Sequence, residues 1–159
     1  MPLIASNLAT SLEREWLVPD GGSFPSSVAE SGDRFAGCVA RWFATGLAAG
    51  LPCSTATARQ AQLAGSATAA FSAQSAASAG ALLGSGLALY MTGQLFGAGA
   101  ALPPAGVSAA IAAYTSVFSN VNLPNNVRAQ QMAQAAYTLA LTTIVVFPLP
   151  PGPPPAPVT

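Results

Sequence analysis

The chain contains no histidine and no lysine, and only 6% of its residues are charged. Without histidine, the most common general base of enzymes is missing. Ordinary soluble domains carry roughly 25% charged residues, so most of this protein's surface must be uncharged. Because net charge keeps proteins apart in solution, a monomer with this composition and zero formal net charge is expected to associate with a partner.

The few charges are unevenly distributed along the chain. All the acidic residues precede position 34: Glu13, Glu15, Asp20, Glu30 and Asp33. No Asp, Glu, Lys or Arg lies between Gln60 and Val127. Binding to nucleic acid needs a basic stripe, which five scattered arginines do not make. We therefore expect no nucleic-acid partner.

The two cysteines show no pattern typical of catalysis or of a disulfide framework. Cys38 and Cys53 have no histidine partner that would activate a thiolate. If residues 38–51 are helical, the two Cα atoms lie roughly 20 Å apart at 1.5 Å per residue, which is beyond disulfide reach. We predict free thiols, with Cys38 on the apolar side of a helix and Cys53 in a turn. A bond from Cys53 to another subunit stays open.

The carboxylates and glycines also favour structural roles. Glu13 and Glu15 are two residues apart on a predicted helix, so their side chains point away from each other. Glu30 and Asp33 lie near a helix start, where negative charge suits the helix dipole, and we favour this role over a metal site. The glycines between positions 80 and 99 do not form a phosphate-binding motif. We predict that the chain is not an enzyme and needs no cofactor or metal.

Alanine, the best helix former, is the most prominent residue of the chain. Apolar residues recur every four positions in the first segment, and Ser27 with Glu30 forms a candidate capping box for the second. Ser54 or Thr55, and later Asn125 or Asn126, are further candidate caps. β-branched residues cluster only at 142–146, which allows a short strand there. The predicted helical segments are 6–18, 28–51, 56–79, 80–101, 107–121 and 127–147.

These segments predict an all-α fold, a small helical bundle of about five to six helices over residues 1–147. An extended proline-rich tail follows at 148–159. The stretch 40–52 aligns with 112–124, and each reads as an aromatic helix followed by a Leu-Pro turn. This alignment allows two repeated helical hairpins that pack against each other.

The segment 80–101 raises the alternative of a membrane helix. Its 22 uncharged residues are enough to span roughly 30 Å of hydrocarbon. Gly80 with Gly84, and Gly93 with Gly97, have the small-xxx-small spacing of packed membrane helices. However, the segment is rich in Gly, Ser, Thr and Gln, and no arginine flanks it closely to set a topology. We favour helix packing inside a soluble assembly and expect no membrane partner.

The tail FPLPPGPPPAPVT, residues 147–159, cannot be helical because proline lacks the backbone N–H and clashes with the preceding turn. It favours an extended polyproline conformation that has little entropy left to lose on binding. We predict that a neighbouring subunit holds this tail and that the tail adds nothing to the fold of the bundle. The alternative is a tail that folds back on its own subunit. The predicted partner-contact residues are Phe147, Pro148, Leu149, Pro150, Pro151, Pro153, Pro154, Pro155, Pro157 and Val158.

Several of these features occur together in one known group of proteins. They are the amphipathic start, the tryptophan-containing helix, the turn from Gly50 to Ser54, the alanine-rich helix and the closing segment from Pro153 to Val158. In pattern and composition the chain resembles small alanine-rich structural proteins of tailed bacteriophage particles. That resemblance implies a non-enzymatic building block located in the virion, without a cofactor, surrounded by copies of itself and by other virion structural proteins.

Three functions follow from the sequence as hypotheses. The first is a structural subunit of a bacteriophage particle, in the capsid, neck, tail or baseplate. The second is a small holin-like membrane protein that spans the bilayer at residues 80–101. The third is a surface or secreted alanine-rich interaction protein of bacterial origin. The sparse charge and the proline-rich tail favour the first.

Overall fold

The computed structural model describes residues 2–18, 22–148 and 152–159. This part of the chain is mostly helical, and a π-helical turn, Leu12–Trp16, extends the first helix. The α-helices are α1 Ala5–Ser11, α2 Val28–Phe43, α3 Gln60–Phe71, α4 Ala76–Met91, α5 Val107–Ser119 and α6 Asn125–Leu141. The strands are β1 Leu47–Ala48, β2 Leu51–Pro52, β3 Leu95–Phe96, β4 Gly99–Ala101, β5 Ile144–Val146 and β6 Ala156–Pro157.

The helices form a closed ring. From α2 to α6, each helix packs against the next one in the chain, and α1 lies between α6 and α2. Consecutive helices run antiparallel, as Gly80 of α4 lies against Thr115 of α5 and Gly84 lies against Ile111. The largest side chains that fill the ring are fully buried: Tyr90, Tyr114, Phe35, Phe43, Phe96, Leu8, Leu12, Leu63, Leu83, Leu87, Met91 and Met132.

Glycines bring the helices α4 and α5 unusually close together. A Cβ atom at Gly80 would lie 2.6 Å from the backbone nitrogen of Thr115, and one at Gly84 would lie 3.0 Å from the Cα atom of Ile111. The small-xxx-small spacing of Gly80 and Gly84 therefore serves helix packing within this protein. Close approach of backbones compensates for the small apolar area that each alanine or glycine buries.

The six strands form a second closed ring at one end of the helices. Strands β1 and β2 form one antiparallel pair, and β3, β4, β5 and β6 form a four-stranded antiparallel sheet in that order. A bridge between Cys53 and Phe96 joins β2 to β3. Leu47 and Thr159 exchange both backbone hydrogen bonds, at 2.8 and 2.9 Å, and so join β6 to β1. In the described part of the chain, each strand of the ring therefore has a neighbouring strand on both of its edges.

The fold is therefore not purely all-α as the sequence predicted. The segments 28–51 and 80–101 do not continue as helices; α2 ends at Phe43, α4 ends at Met91, and each is followed by a two-stranded hairpin. Gly93, with φ of 74°, follows the last turn of α4 in the left-handed conformation that terminates helices. The hairpin turns also depend on positive φ: Ala49 and Gly50 have φ of 50° and 80°, as a type I′ turn requires.

Two further helix boundaries differ from those predicted. The segment 56–79 is interrupted, because α3 ends at Phe71 and Ser75 then caps α4 by accepting a hydrogen bond from the N–H of Ser78 at 3.1 Å. No side-chain cap from Ser54, Thr55, Asn125 or Asn126 is found at α3 or α6. In contrast, the start of α2 at Val28, with Ser27 as its cap, and the short strand within 142–146 are confirmed.

The predicted alignment of 40–52 with 112–124 does not describe equivalent structures. Leu51 and Pro52 form strand β2, whereas Leu123 and Pro124 lie in a turn between α5 and α6. The recurring unit is instead a helix followed by two short strands. It occurs as α2 with β1–β2, as α4 with β3–β4, and as α6 with β5–β6.

Candidate interaction surface

The predicted tail contacts that the structure describes are either buried within the chain or exposed to solvent. Phe147 and Val158 are buried within their own chain, with 4% and 0% of their surface exposed. Pro148, Pro157 and the run 153–155 are exposed, and Leu149, Pro150 and Pro151 lie outside the described residues. The prediction that the tail adds nothing to the fold is therefore wrong for its two ends.

Specific contacts hold the end of the tail to its own bundle. The N–H of Val158 donates a 3.0 Å hydrogen bond to the carbonyl of Thr143. The Val158 side chain packs beside Gly46 and Leu3, and Phe147 covers Gly99. The error has a physical cause: apolar side chains on strands of two or three residues make no periodic stripe, so the sequence shows no destination for them.

Successive residues of each strand point to opposite sides of the four-stranded sheet, and both sides are apolar. The inner positions Phe96, Ala101 and Val145 are at most 4% exposed and close the end of the helical core. We call the opposite side the outer face; it consists of Leu95, Ala100, Leu102, Ile144, Val146 and Pro157. Its four largest members expose between 37% and 48% of their surface. An antiparallel sheet that meets water usually carries polar residues on its wet side.

The outer face is continuous across all four strands. In one row Leu95 pairs with Ala100, and Ala100 pairs with Val146. In a second row the N–H of Leu102 donates to the carbonyl of Ile144 at 2.8 Å, and Ile144 pairs with Pro157. Neighbouring side chains on one side of paired strands lie about 5 Å apart. The six side chains therefore form one apolar patch.

The acidic residues that the structure describes, and both ion pairs, lie on α2 and the π-helical turn. The two ion pairs of the described residues, Arg34 with Glu30 and Arg41 with Glu15, tie α2 to itself and to the π-helical turn. On α3 to α6 the charges are Arg59, which precedes α3, and Arg128. Both of these guanidinium groups donate to backbone carbonyls, Arg59 to Thr92 and Leu89, and Arg128 to Asn120 and Val121.

Glu30 acts as a clamp on the loop before α2. Its carboxylate accepts hydrogen bonds from the N–H and the hydroxyl of Ser26, both at 2.6 Å, and from Arg34 at 3.1 Å. The bonds from Ser26, reinforced by Arg34, lower the pKa of Glu30 to about 2. The predicted capping box is confirmed for the Ser27 side chain, which accepts from the Glu30 N–H at 3.1 Å. The Glu30 carboxylate, however, accepts hydrogen bonds from Ser26 and not from the backbone N–H of Ser27, as a complete capping box would require.

Both cysteines are free and buried, which confirms that Cys38 and Cys53 are not bonded to each other. Burial raises the pKa of the Cys38 thiol to about 12, and burial likewise raises the pKa of the Cys53 thiol. A thiol with a raised pKa is a poor nucleophile at neutral pH. Cys53 lies beside strand β2, in contact with the amide oxygen of Gln94 at 3.6 Å, and not in an exposed turn.

Gln94 forms a buried polar centre that the sequence did not indicate. Its amide oxygen accepts a 2.6 Å hydrogen bond from the Thr55 hydroxyl, and its amide nitrogen donates to the Tyr90 carbonyl at 2.9 Å. The Thr55 hydroxyl oxygen also accepts from the N–H of Leu95 at 2.9 Å. This centre fixes the connection of β2 to α3 against the end of α4. It has partners for its polar atoms and is structural.

A cleft of about 550 Å³ opens at the end of the bundle opposite the strands. Its walls include Trp16, Phe71 and Phe118; the Trp16 ring stacks on Phe71 with centroids 5.1 Å apart. Trp16 also donates a 2.7 Å hydrogen bond to the hydroxyl of Ser31. Among the described residues that line the cleft, Arg128 is the sole charged one. The described residues also contain no group of three metal-binding side chains.

No protein-family model, no curated protein and no solved structure matches the chain. In the described part of the chain, none of the helices combines the length and the apolar character needed to cross a bilayer. The predicted spanning segment 80–101 is divided between α4 and the β3–β4 hairpin, so the holin-like alternative is not supported.

Proposed function

We propose that this protein is a non-enzymatic structural subunit of a bacteriophage particle, packed among copies of itself and other virion proteins. The observation that carries the proposal is the wide, sparsely charged surface of α3 to α6 and the strand ring, where Arg59 and Arg128 are the charged residues that the structure describes. A surface with so little charge has little to keep it in solution as a monomer. Permanent contact with neighbours is the ordinary way to cover it.

The resemblance in pattern to small alanine-rich structural proteins of tailed bacteriophages supports the virion as the location. The exposed prolines of the tail remain candidate contacts with a neighbour: Pro148, Pro153, Pro154, Pro155 and Pro157. Prolines that are fixed in place and exposed lose little entropy on binding, and a neighbour's groove can receive them as it receives other polyproline segments.

Co-expression with the products of the flanking genes tests this function. One flanking product carries an affinity tag, and this chain should co-purify with it at a constant stoichiometry. Mass spectrometry of purified particles should then detect this chain in a fixed ratio to the major capsid protein. If the particles assemble with their full protein set and this chain is absent from them, the proposal is wrong.

A matched pair of variants shows whether the uncharged surface carries the contact. Leu89→Glu places a charge on an exposed position of α4, where 57% of the side chain is accessible. Asn7→Glu places the same charge on an exposed position of α1, on the charged side of the bundle. We expect Leu89→Glu to reduce incorporation into the complex and Asn7→Glu to leave it unchanged. The reverse result contradicts the assignment of this surface.

A further inference from the structure

The cleft at the end of the bundle opposite the strands has a wall of fixed aromatic rings. Trp16, Phe71 and Phe118 line it, and Phe118 meets Phe71 edge to face with centroids 6.2 Å apart. Behind them Phe35 packs edge to face against Trp16 and Phe71, at 5.3 and 5.7 Å. The hydrogen bond from Trp16 to Ser31 fixes the indole ring. Because these rings already hold one another in place, a ligand does not have to order them on binding.

The size of the cleft and its aromatic wall indicate the kind of molecule that it suits. A volume of about 550 Å³ lies within the range of roughly 300–1,000 Å³ that is typical of small-molecule sites. A single inorganic ion would fill only a small part of this space. Phe71 and Phe118 are half-buried, so their rings keep surface that a ligand can cover. Aromatic rings attract other planar rings in stacked or edge-to-face arrangements, so the wall favours a planar aromatic group.

Arg128 determines which charge the cleft prefers. The described lining residues include no carboxylate, so a cationic ligand would gain no ion pair there. The Nη2 atom of Arg128 donates to the carbonyls of Asn120 and Val121, both at 3.3 Å, and these neutral acceptors hold the guanidinium without cancelling its charge. A guanidinium has five N–H groups on three nitrogens, and the described hydrogen bonds use those of Nη2. The N–H groups of Nε and Nη1 suit the paired hydrogen bonds that arginine makes with a carboxylate.

We propose that this cleft binds a small aromatic carboxylate, with its ring against Phe71 and Phe118 and its carboxylate on Arg128. The volume calls for a small organic molecule, the rings for a planar group, and the guanidinium for a negative charge. The neutral amides of Gln74 and Asn125, which also line the cleft, suit hydroxyl or carbonyl substituents on the ligand ring. The site needs no neighbouring subunit, so it is independent of the proposed structural role.

Titration of the isotope-labelled full chain with sodium cinnamate, followed by proton–nitrogen NMR, tests the proposal. The two tryptophans report separately, because the indole N–H of Trp16 donates to Ser31 at the cleft, whereas that of Trp42 donates to the carbonyl of Ile4. The Trp16 signal should shift in a saturable manner, and the Trp42 signal should stay in place. Cinnamamide has the same planar group without the charge and should bind with a Kd at least roughly tenfold higher, since hydrogen bonds between charged groups are the stronger ones.

A matched pair of arginine variants locates the charge. Arg128→Gln should raise the Kd for cinnamate at least roughly tenfold and leave the Kd for cinnamamide within about twofold. Arg59→Gln is the control, because Arg59 also donates to backbone carbonyls but does so at the strand end of the bundle, outside the cleft. It should leave both dissociation constants unchanged. If Arg128→Gln does not fold, the comparison of the two probes on the wild-type protein decides the charge preference by itself.

Three outcomes would overturn the inference. The first is no shift of the Trp16 signal at millimolar cinnamate, or an equal shift of both indole signals. The second is equal affinity for cinnamate and cinnamamide, which would mean that the cleft only adsorbs apolar rings. The third concerns Asp20, which lies outside the described residues and follows the cleft residue Leu17 in the sequence. A roughly tenfold lower Kd for cinnamate in Asp20→Asn would show that Arg128 binds the chain's own carboxylate.

The result for the cleft is separable from the result for the proposed function. Cinnamate binding by a chain that is absent from purified particles supports the cleft and contradicts only the structural role. A chain that is present in particles and shows no response at Trp16 does the reverse.

Discussion

At the scale of single residues, the Glu30 side chain stabilises the start of α2. Its carboxylate joins Ser26, which precedes α2, to Arg34 in the second turn of the helix. Arg34 in turn donates to the carbonyl of Ser23 at 2.7 Å. A single carboxylate thus fixes the entry of the chain into α2. Since these bonds need the ionised form, the contribution of Glu30 to stability must depend on pH.

We predict that the stabilisation by Glu30 is lost in acid. Its pKa is lowered from an ordinary value near 4.5 to about 2 in the folded protein, so the folded state binds the proton less readily than the unfolded state. The stabilisation is therefore complete above pH 4.5 and disappears as the pH falls towards 2. Thermal unfolding should show Glu30→Gln to be less stable than wild type at pH 7, with the difference closing near pH 2. Glu13→Gln, which removes no described hydrogen bond, is the control; a Glu30 difference that stays constant down to pH 2 contradicts the prediction.

At the scale of elements, the fit between helices depends on residues that have almost no side chain. Gly80 and Gly84 let α4 approach the backbone of α5, and Gly86 lies directly against Ser66 of α3. Gly65 of α3 is also helical, but a Cβ atom there would meet nothing within 4 Å. The two kinds of glycine look alike in the sequence and differ only in what faces them.

This difference predicts opposite effects of one substitution. Gly80→Ala forces the Thr115 backbone to move and should lower the free energy of unfolding by about 1–3 kcal/mol. Gly65→Ala removes the entropy cost of a helical glycine and should raise it by about 0.5–1 kcal/mol. Denaturant titration with an unchanged slope measures both. Equal effects of the two substitutions would show that α4 and α5 are not in close contact.

A second prediction at this scale concerns the end of the tail. Val158 is fully buried, and the residue after it closes the strand ring onto Leu47. Val158→Ala should therefore lower the free energy of unfolding by about 2 kcal/mol. Pro154→Ala, at an exposed position of the same tail, should change it by less than about 0.5 kcal/mol. If the two variants unfold at the same denaturant concentration, residues 156–159 do not pack on their own bundle in solution.

On the scale of the whole molecule, charge is distributed unevenly over the surface. Ion pairs and acids gather around α1 and α2, whereas the strand ring carries no described charge. The side formed by α1 and α2 is therefore well hydrated, whereas the side formed by the strand ring would gain from burial against a partner. Association through the second side should be hydrophobic and insensitive to screening.

We predict that self-association of the wild-type protein, which the proposed function requires, does not weaken when salt rises from about 0.05 M to about 0.5 M, because salt at these concentrations screens exposed charges and not apolar contacts. Sedimentation equilibrium at both salt concentrations measures the association constant. Self-association that weakens with salt would mean that the charged side of the bundle forms the interface.

The sequence alone predicted the features that depend on local chemistry. The predominance of helix follows from alanine and from apolar stripes, and the start of α2 follows from the hydroxyl of Ser27. The β-branched run around Ile144 and Val145 marked a strand. Each of these depends on residues that lie within a few turns of one another. Free thiols at Cys38 and Cys53 were also predicted correctly, but the helix that was assumed to separate them ends at Phe43.

Only the tertiary structure decided the features that join distant parts of the chain. Strands of two or three residues are too short to show a period, so the hairpins were hidden inside predicted helices. The ring closes between Leu47 and Thr159, and Gln94 meets Thr55 across 39 positions. The composition explains why the surface carries few charges. The pairing of strands, however, brings Leu95, Ile144 and Val146 together on one face, because neighbours in a sheet are set by register and not by distance along the chain.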